Sequence, residues 1–119
     1  MKNQFIHYAM EEAEKSQQNF KHGAILVKHN KMISRGHNKV TRKCPSHMFS
    51  IHAEMAAIKQ SSESQTLANT HLYVVRISNS GLADSKPCSN CQQFMKLHGI
   101  TRVFYSTGIH NNEFNSLYI

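Results

Sequence analysis

The fold is decided by residues 72–105, which read LYVVRISNSGLADSKPCSNCQQFMKLHGITRVFY. Residues 72–77 form an apolar run that predicts a buried strand. Residues 88–98 predict a helix that Gly99 terminates, and residues 102–105 predict another strand. A strand, a helix and a strand in this order predict two parallel strands joined by a right-handed crossover.

The flanking segments extend this unit to the order α-β-β-α-β-α-β-β. Apolar residues at spacings of three and four predict a first helix over residues 3–18. A hairpin follows, with strands at 23–27 and 32–36 and with His29-Asn30 as its tight turn. The other predicted elements are a basic loop over 39–50, a helix over Ile51–Gln60 that Ser50 could cap, a polar loop over 78–87 and a last strand over 114–118.

These elements predict an α/β fold, a three-layer α/β/α sandwich with a five-stranded mixed sheet. The connection before the last strand is too short for a crossover, which needs about a dozen residues. We therefore expect the fifth strand to pair antiparallel with the fourth. The 119 residues fit one domain, 1–119, with a single core.

The composition indicates a globular protein of the cell interior. Apolar residues make up 39% of the chain, which argues against disorder. No apolar run reaches the roughly 18 residues of a membrane span, and the N-terminus lacks the pattern of a secretory signal. Three cysteines, two of them in a Cys-x-x-Cys pair, argue against a disulfide framework. We therefore expect a soluble, cytoplasmic protein without a membrane partner.

The net charge of +7 predicts attraction to anions such as nucleotides or a nucleic-acid backbone. Much of this charge lies in the segment 28–43. If this segment rims a pocket, it could hold a phosphate; the alternative is a solvated basic face. The residues concerned are Lys28, Lys31, Arg35, Lys39, Arg42 and Lys43.

Two short motifs carry the candidate chemistry, His52-Ala53-Glu54 and Pro87-Cys88-Ser89-Asn90-Cys91. Each lies at the start of a predicted helix, where the helix dipole favours thiolates over thiols. Cys88 and Cys91 are three residues apart, so their sulfur atoms share one helix face. Two thiolates and the imidazole of His52 suit zinc and leave its fourth position open to water.

Glu54 follows His52 by two residues and is the predicted proton shuttle. Two thiolates neutralise the charge of zinc, so a bound water is less acidic there than at a three-histidine site. A carboxylate can then accept the proton of the water and pass it on to the reacting molecule. The alternatives are a closed structural zinc site, with Cys44 or His47 as the fourth ligand, and a thiol redox pair.

The two motifs together resemble those of the cytidine deaminase-like superfamily, and the resemblance covers nearly the whole chain. A His-x-Glu motif followed by Pro-Cys-x-x-Cys is typical of zinc deaminases that act on nucleobases. The block Ser50–Ile58 is similar to the metal-binding helix of the family, and the hairpin His22–Asn38 is similar to its second motif.

The resemblance implies several substrate contacts. In the family, an asparagine at the position of Asn38 contacts the base or the sugar, and the backbone near Ala24 lines the pocket. Backbone amides beside Ala53 and Cys88 would hold the oxygen of the attacking water. His37 adjoins Asn38 and is a further candidate for substrate contact.

The branch of the superfamily stays open. Deoxycytidylate deaminases usually carry Asn two residues after the catalytic Glu, where this chain has Ala56. Small deaminases of free pyrimidine nucleosides commonly use an all-cysteine metal set, from which His52 departs. The sequence is that of a compact member between these groups.

We therefore expect a Zn²⁺-dependent hydrolase of nucleotide metabolism that deaminates a cytosine nucleoside or nucleotide. One alternative is a deaminase of a base in single-stranded DNA or RNA, including tRNA. Another is a non-catalytic, zinc-stabilised binding subunit. Relatives form dimers or tetramers, so the resemblance also implies a homo-oligomer.

Overall fold

The structure is a computed structural model that describes residues 3–17, 20–44, 47–61, 67–78, 81–108 and 114–119, with the side chains of residues 3 and 40–51 excepted. Its helices are α1 (Asn3–Glu14), α2 (Ala53–Gln60) and α3 (Ser89–Leu97). Its strands are β1 (Lys21–Lys28), β2 (Lys31–His37), β3 (Lys39–Cys44), β4 (His47–Ile51), β5 (Thr70–Ser78), β6 (Gly81–Ala83), β7 (Ile100–Ser106) and β8 (Phe114–Tyr118).

The main sheet has the strand order β2-β1-β5-β7-β8, and the short strand β6 pairs with one end of β5. Strands β5 and β7 are parallel and are joined through α3, which confirms the predicted crossover. Strand β8 runs antiparallel to β7, as the short connection predicts. The remaining pairs, β1–β2, β1–β5 and β5–β6, are antiparallel.

The sheet lies between two helical layers, so the predicted three-layer sandwich is confirmed. On one face α2 and α3 cover a core that includes Leu26, Leu72 and Val74. On the other face α1 packs through Phe5 against the alternate residues of the same strands, such as Tyr73. Successive residues of a strand point to opposite faces, which explains why neighbouring residues of β5 belong to different cores.

Positive φ angles mark two predicted chain reversals. His29 and Asn30 have φ angles of 50° and 65°, which suit the tight turn of the β1–β2 hairpin. Gly99 follows α3 with a φ of 85°, the left-handed conformation that commonly ends a helix. Both turns lie where the sequence predicts them.

The segment 39–50, predicted as a loop, instead forms a separate hairpin of β3 and β4. The polar loop 78–87 contains β6, so the main sheet has six strands rather than five. Both corrections have one physical reason: a strand is held by backbone hydrogen bonds to its partner, and a basic or polar segment provides these as well as an apolar one.

The bounds of two helices also differ from prediction. Helix α2 begins at Ala53 because Ser50 and Ile51 belong to β4, so Ser50 is not the cap; His52 is the N-cap residue. Helix α1 ends at Glu14, four residues earlier than predicted. There the hydrogen bond from Ser16 N to the Ala13 carbonyl tightens the last turn. Within the described ranges, none of the helices has the length and apolar character needed to cross a membrane.

Candidate active site

The candidate site lies where the N-terminal ends of α2 and α3 meet. His52 and Cys88 are the N-cap residues of the two helices, and neither side chain makes a capping hydrogen bond. Their carbonyls accept the first helical bonds instead, His52 from Ala56 N and Cys88 from Gln92 N, each at 2.9 Å. The prediction that both motifs lie at helix N-termini is confirmed.

Three potential metal ligands converge between these helix ends. One ligand atom from each of His52, Cys88 and Cys91 lies within 4.8 Å of the other two. His52 Nδ1 is 3.2 Å from Cys91 Sγ and 3.9 Å from Cys88 Sγ, so Nδ1 is the nitrogen that faces the sulfur atoms. A tetrahedral zinc with bonds of about 2.0–2.3 Å separates its ligand atoms by about 3.5–3.8 Å.

The electrostatics of the cluster also fit a divalent cation. Burial raises the pKa of the Cys91 thiol, and the Glu54 carboxylate and Cys88 raise it further. Without a cation the site therefore disfavours the thiolate, whereas a bound zinc ion would deprotonate the thiol outright. A raised pKa is also the opposite of what a reactive redox cysteine needs. The donor set and its charges fit Zn²⁺.

Glu54 lies in the first turn of α2 and is only 5% exposed. Burial raises the pKa of its carboxyl, although its own backbone N–H, the charge of His52 and a hydrogen bond with Cys91 act in the opposite direction. A carboxyl with a raised pKa binds and releases a proton closer to neutral pH than an exposed glutamate. Glu54 therefore has the environment that a proton shuttle requires.

A cavity of about 270 Å³ opens beside the cluster. This volume lies near the lower end of the range of small-molecule sites, which begins at about 300 Å³. Its lining residues are Phe20, His22, Asn38, His52, Ala53, Glu54, Ser85, Lys86 and Cys88. The two motifs and the end of the first hairpin thus share one cavity.

Asn38 lines this cavity and also holds its wall together. Its side-chain Oδ1 accepts a hydrogen bond from His22 N at 2.8 Å, and its Nδ2 donates one to the Phe20 carbonyl at 2.7 Å. Ser16 Oγ donates to the Asn38 carbonyl at 3.0 Å. Asn38 therefore fixes the backbone on which Phe20 and His22 approach the cavity.

Two of the predicted substrate contacts, His37 and Ala24, are not among the lining residues. His37 faces the other way, and its Nδ1 lies 3.0 Å from Glu12 Oε1. Ala24 is fully buried in the core beneath α2 and α3. Ala53 does line the cavity, next to Glu54.

The basic residues of the hairpin, insofar as the structure describes them, do not line this cavity. Arg35 and Lys39 line a separate cavity of about 310 Å³, which also contains Glu12, Lys15 and His37. Lys28 and Lys31 lie at the far end of the hairpin, where they occupy opposite positions on β1 and β2. The side chains of Arg42, Lys43, Cys44 and His47 lie outside the described residues.

The sequence did not single out four of the lining residues, Phe20, His22, Ser85 and Lys86. His22 begins the hairpin motif. Burial lowers the pKa of its imidazole, and the charges of Arg76 and His52 lower it further. Phe20 is 57% exposed and lies under the Arg76 guanidinium at 4.4 Å. Ser85 and Lys86 directly precede Pro87-Cys88, and this adjacency was the available signal.

Solved structures share this fold. Cytidine deaminase from Burkholderia pseudomallei has a TM-score of 0.76 at 22% identity, covering 99% of this chain and 92% of its own. The apo dCMP deaminase from the cyanophage S-TIM5 has a TM-score of 0.71 at 22% identity, covering 92% and 87%. Cytidine deaminase from Mycobacterium tuberculosis has a TM-score of 0.61 at 16% identity, covering 91% and 85%.

No curated protein matches the sequence. Residues 1–107, most of the chain, match the family described as the cytidine and deoxycytidylate deaminase zinc-binding region. The matched range includes both helix N-termini and every residue that lines the cavity. The chain belongs to the cytidine and deoxycytidylate deaminase zinc-binding family.

Proposed function

We propose that the protein is a zinc-dependent hydrolytic deaminase of a cytosine nucleoside or nucleotide. The observation that carries the proposal is the meeting of two groups at one cavity. Ligand atoms of His52, Cys88 and Cys91 lie within 4.8 Å of one another, and the buried Glu54 lies in the same place. A purely structural zinc site has no use for a buried carboxylate, which is costly to bury without a function.

In this proposal His52 Nδ1 and the two cysteine sulfur atoms hold the zinc ion. When bound, zinc lowers the pKa of a water molecule and makes it a better nucleophile. A carboxylate oxygen of Glu54 accepts a proton from that water and delivers it to the ring nitrogen of the base. The water oxygen bonds to the ring carbon that carries the amino group. Glu54 then takes the second proton of that oxygen and passes it to the amine, whose bond to the carbon breaks and which leaves as ammonia.

The remaining wall residues bind and orient the substrate. Phe20 offers an exposed aromatic face, which can stack on a base. Asn38 keeps Phe20 and His22 in place through its two hydrogen bonds to their backbone. The side chain of Ala53 is small and leaves room beside Glu54, so a flat ring can approach the zinc ligands.

The cavity and its surroundings fit a monomeric substrate. About 270 Å³ suits one nucleoside or nucleotide. Arg35 and Lys39, which could bind a nucleic-acid backbone, line a different cavity. The cyanophage dCMP deaminase that shares this fold has been crystallised with dCMP and dUMP.

Ammonia release from cytidine, deoxycytidine, CMP, dCMP and a single-stranded oligonucleotide tests the proposal. We expect the zinc-loaded protein to deaminate at least one monomer, and Glu54→Gln to lower kcat by roughly 10²- to 10⁴-fold. Glu11→Gln is the matched control, because Glu11 is an exposed carboxylate of α1. Its kcat should stay at the wild-type value.

Zinc content separates loss of chemistry from loss of metal. Glu54→Gln should keep one zinc per chain, whereas Cys88→Ser should lose most of it, because its sulfur is one of the three ligands. Wild-type turnover by Glu54→Gln would refute the catalytic role of the carboxylate. A zinc-loaded wild type that releases no ammonia from any of these substrates would refute the proposed function.

A further inference from the structure

The proposed chemistry leaves one charged residue of the cavity without a role. Lys86 is exposed and lines the cavity immediately before Pro87 and Cys88. Its ammonium forms no ion pair with any acidic side chain that the structure describes. A lysine without such a partner, beside a zinc ligand pair, can bind an anion that enters the cavity.

The charges of the lining residues are arranged unevenly. Among them Glu54 is buried beside the zinc ligands, whereas Lys86 is exposed to solvent. A second cation, Arg76, does not line the cavity but places its guanidinium over the ring of the lining residue Phe20 at 4.4 Å. Lys86 therefore gives the solvent side of the cavity a positive charge, which complements a substrate with a negative group at the end away from its base.

The backbone on both sides of Lys86 is held firmly. Ser85 Oγ donates to the Val74 carbonyl at 3.0 Å and accepts from Ser106 N at 2.8 Å. On the other side, Gln92 Nε2 donates to the Pro87 carbonyl at 2.9 Å. The backbone that carries the Lys86 side chain is thus preorganised, which lowers the entropy lost when the lysine binds a ligand.

The lysine is also within a suitable distance of the reacting centre. Two residues of chain span at most about 7 Å, so Lys86 and Cys88 are separated by no more than roughly the length of a sugar. The flexible four-carbon stem of lysine adds further reach. A nucleotide whose base faces the zinc ligands can therefore present its phosphate to Lys86.

We propose that Lys86 forms a phosphate subsite, and that the substrate is a cytosine nucleoside monophosphate whose phosphate monoester binds the Lys86 ammonium. This inference rests on the proposed function, because it assigns the phosphorylation state of the molecule that the same cavity deaminates. Arg76 does not line the cavity, and its guanidinium lies over the Phe20 ring. Arg35 and Lys39 line the cavity that contains Glu12.

The test compares kcat/KM for dCMP with kcat/KM for deoxycytidine, and CMP with cytidine. We expect the wild type to prefer the monophosphates. In Lys86→Gln the ratio of the two kcat/KM values should fall about ten- to a hundredfold, as for loss of a charged hydrogen bond. Lys86→Arg should retain most of the preference. Lys96→Gln, at an exposed lysine of α3 that does not line the cavity, should leave the ratio unchanged.

Affinity gives a second readout that does not depend on turnover. Calorimetry on zinc-loaded Glu54→Gln protein should show dCMP binding at least tenfold more tightly than deoxycytidine. Adding Lys86→Gln should remove that difference, while zinc content and thermal unfolding report whether the double variant is folded. The difference should also shrink at high ionic strength, because salt screens an exposed ion pair.

The outcomes distinguish the two proposals. Equal kcat/KM for dCMP and deoxycytidine in the wild type, or an unchanged ratio in Lys86→Gln, would overturn the phosphate subsite and leave the deaminase intact. Turnover of the oligonucleotide alone would overturn the monophosphate as substrate. If no substrate is deaminated, the proposed function fails, and equal affinities for dCMP and deoxycytidine would then overturn the phosphate subsite as well.

Discussion

Gly36→Ala should disable the candidate active site without changing any residue of it. Gly36 lies in β2, directly beneath α2. A Cβ atom added there would lie 2.3 Å from Ala57 N and 2.7 Å from the Ala56 carbonyl carbon. Both are backbone atoms of α2, so no side chain can rotate away to make room. The helix itself has to move.

The size of the movement follows from ordinary contact distances. Carbon atoms in contact are about 3.5–4.0 Å apart, so α2 has to retreat by roughly 1 Å. His52 and Glu54 move with the helix, whereas zinc sites tolerate about 0.2 Å in ligand distance. A misplacement of 1 Å costs roughly a hundredfold in rate. Overpacking of this kind typically lowers stability by about 1–3 kcal/mol, and a clash between backbones belongs at the upper end.

Gly23→Ala is the matched control for this prediction. Its Cβ would lie 2.1 Å from the Ala9 carbonyl oxygen of α1, on the opposite face of the sheet. We expect both variants to lower the free energy of unfolding, measured in urea. Only Gly36→Ala should weaken zinc binding, measured by competition with a chelator, and lower kcat. Wild-type zinc affinity in Gly36→Ala, or an equal loss of affinity in Gly23→Ala, would refute the reasoning.

Two further predictions concern stability. Burial by itself would raise the pKa of Glu12, but hydrogen bonds and charges from His37 and Lys15 more than offset it, so the pKa is lowered from 4.5. A lowered folded-state pKa adds stability above pH 4.5, and this stability is lost as the pH falls through the lowered value. The free energy of unfolding should therefore depend less steeply on pH below pH 5 in Glu12→Gln than in the wild type. An equally steep pH dependence of the free energy of unfolding in the two proteins would contradict this. Ser85→Ala should destabilise the protein by about 1–3 kcal/mol in urea unfolding, because the buried Ser106 N–H loses its acceptor. Unchanged stability there would show that the hydrogen bonds of Ser85 are replaced.

Most of the fold could be predicted because its elements carry local signals. The apolar run of β5 and the glycine after α3 define a strand and a helix end within a few residues of sequence. Strands β3 and β6 lack such signals. Their pairing depends on backbone hydrogen bonds to another segment, and the basic sequence of β3 and the three residues of β6 carry no apolar alternation to reveal it.

The candidate site likewise contains some residues that the sequence could predict and others that it could not. The zinc ligands and Glu54 come from two contiguous motifs. Spacing predicted which residues of each motif lie together, and the chemistry of zinc and the resemblance to zinc deaminases predicted that the two motifs meet. The position of His37 required one more step. His37 is the last residue of β2, and Asn38 directly follows it. Side chains alternate along a strand, so a cavity position for Asn38 predicts that its neighbour His37 points to the other side. Asn38 lines the cavity, and His37 therefore meets Glu12 instead.

Asn38 shows why a residue at a substrate cavity need not act only on the substrate. Its amide binds the backbone of residues 20 and 22, which are 18 and 16 positions away in the sequence. Replacing it would release Phe20 and His22 together, and the cavity would lose its wall even if no substrate atom touched the amide. A higher KM in such a variant is therefore evidence that the cavity wall has moved. By itself it is not evidence that Asn38 contacts the substrate. The chemistry of this site depends on two helix ends, and its shape depends on one asparagine that fixes the start of the hairpin beside them.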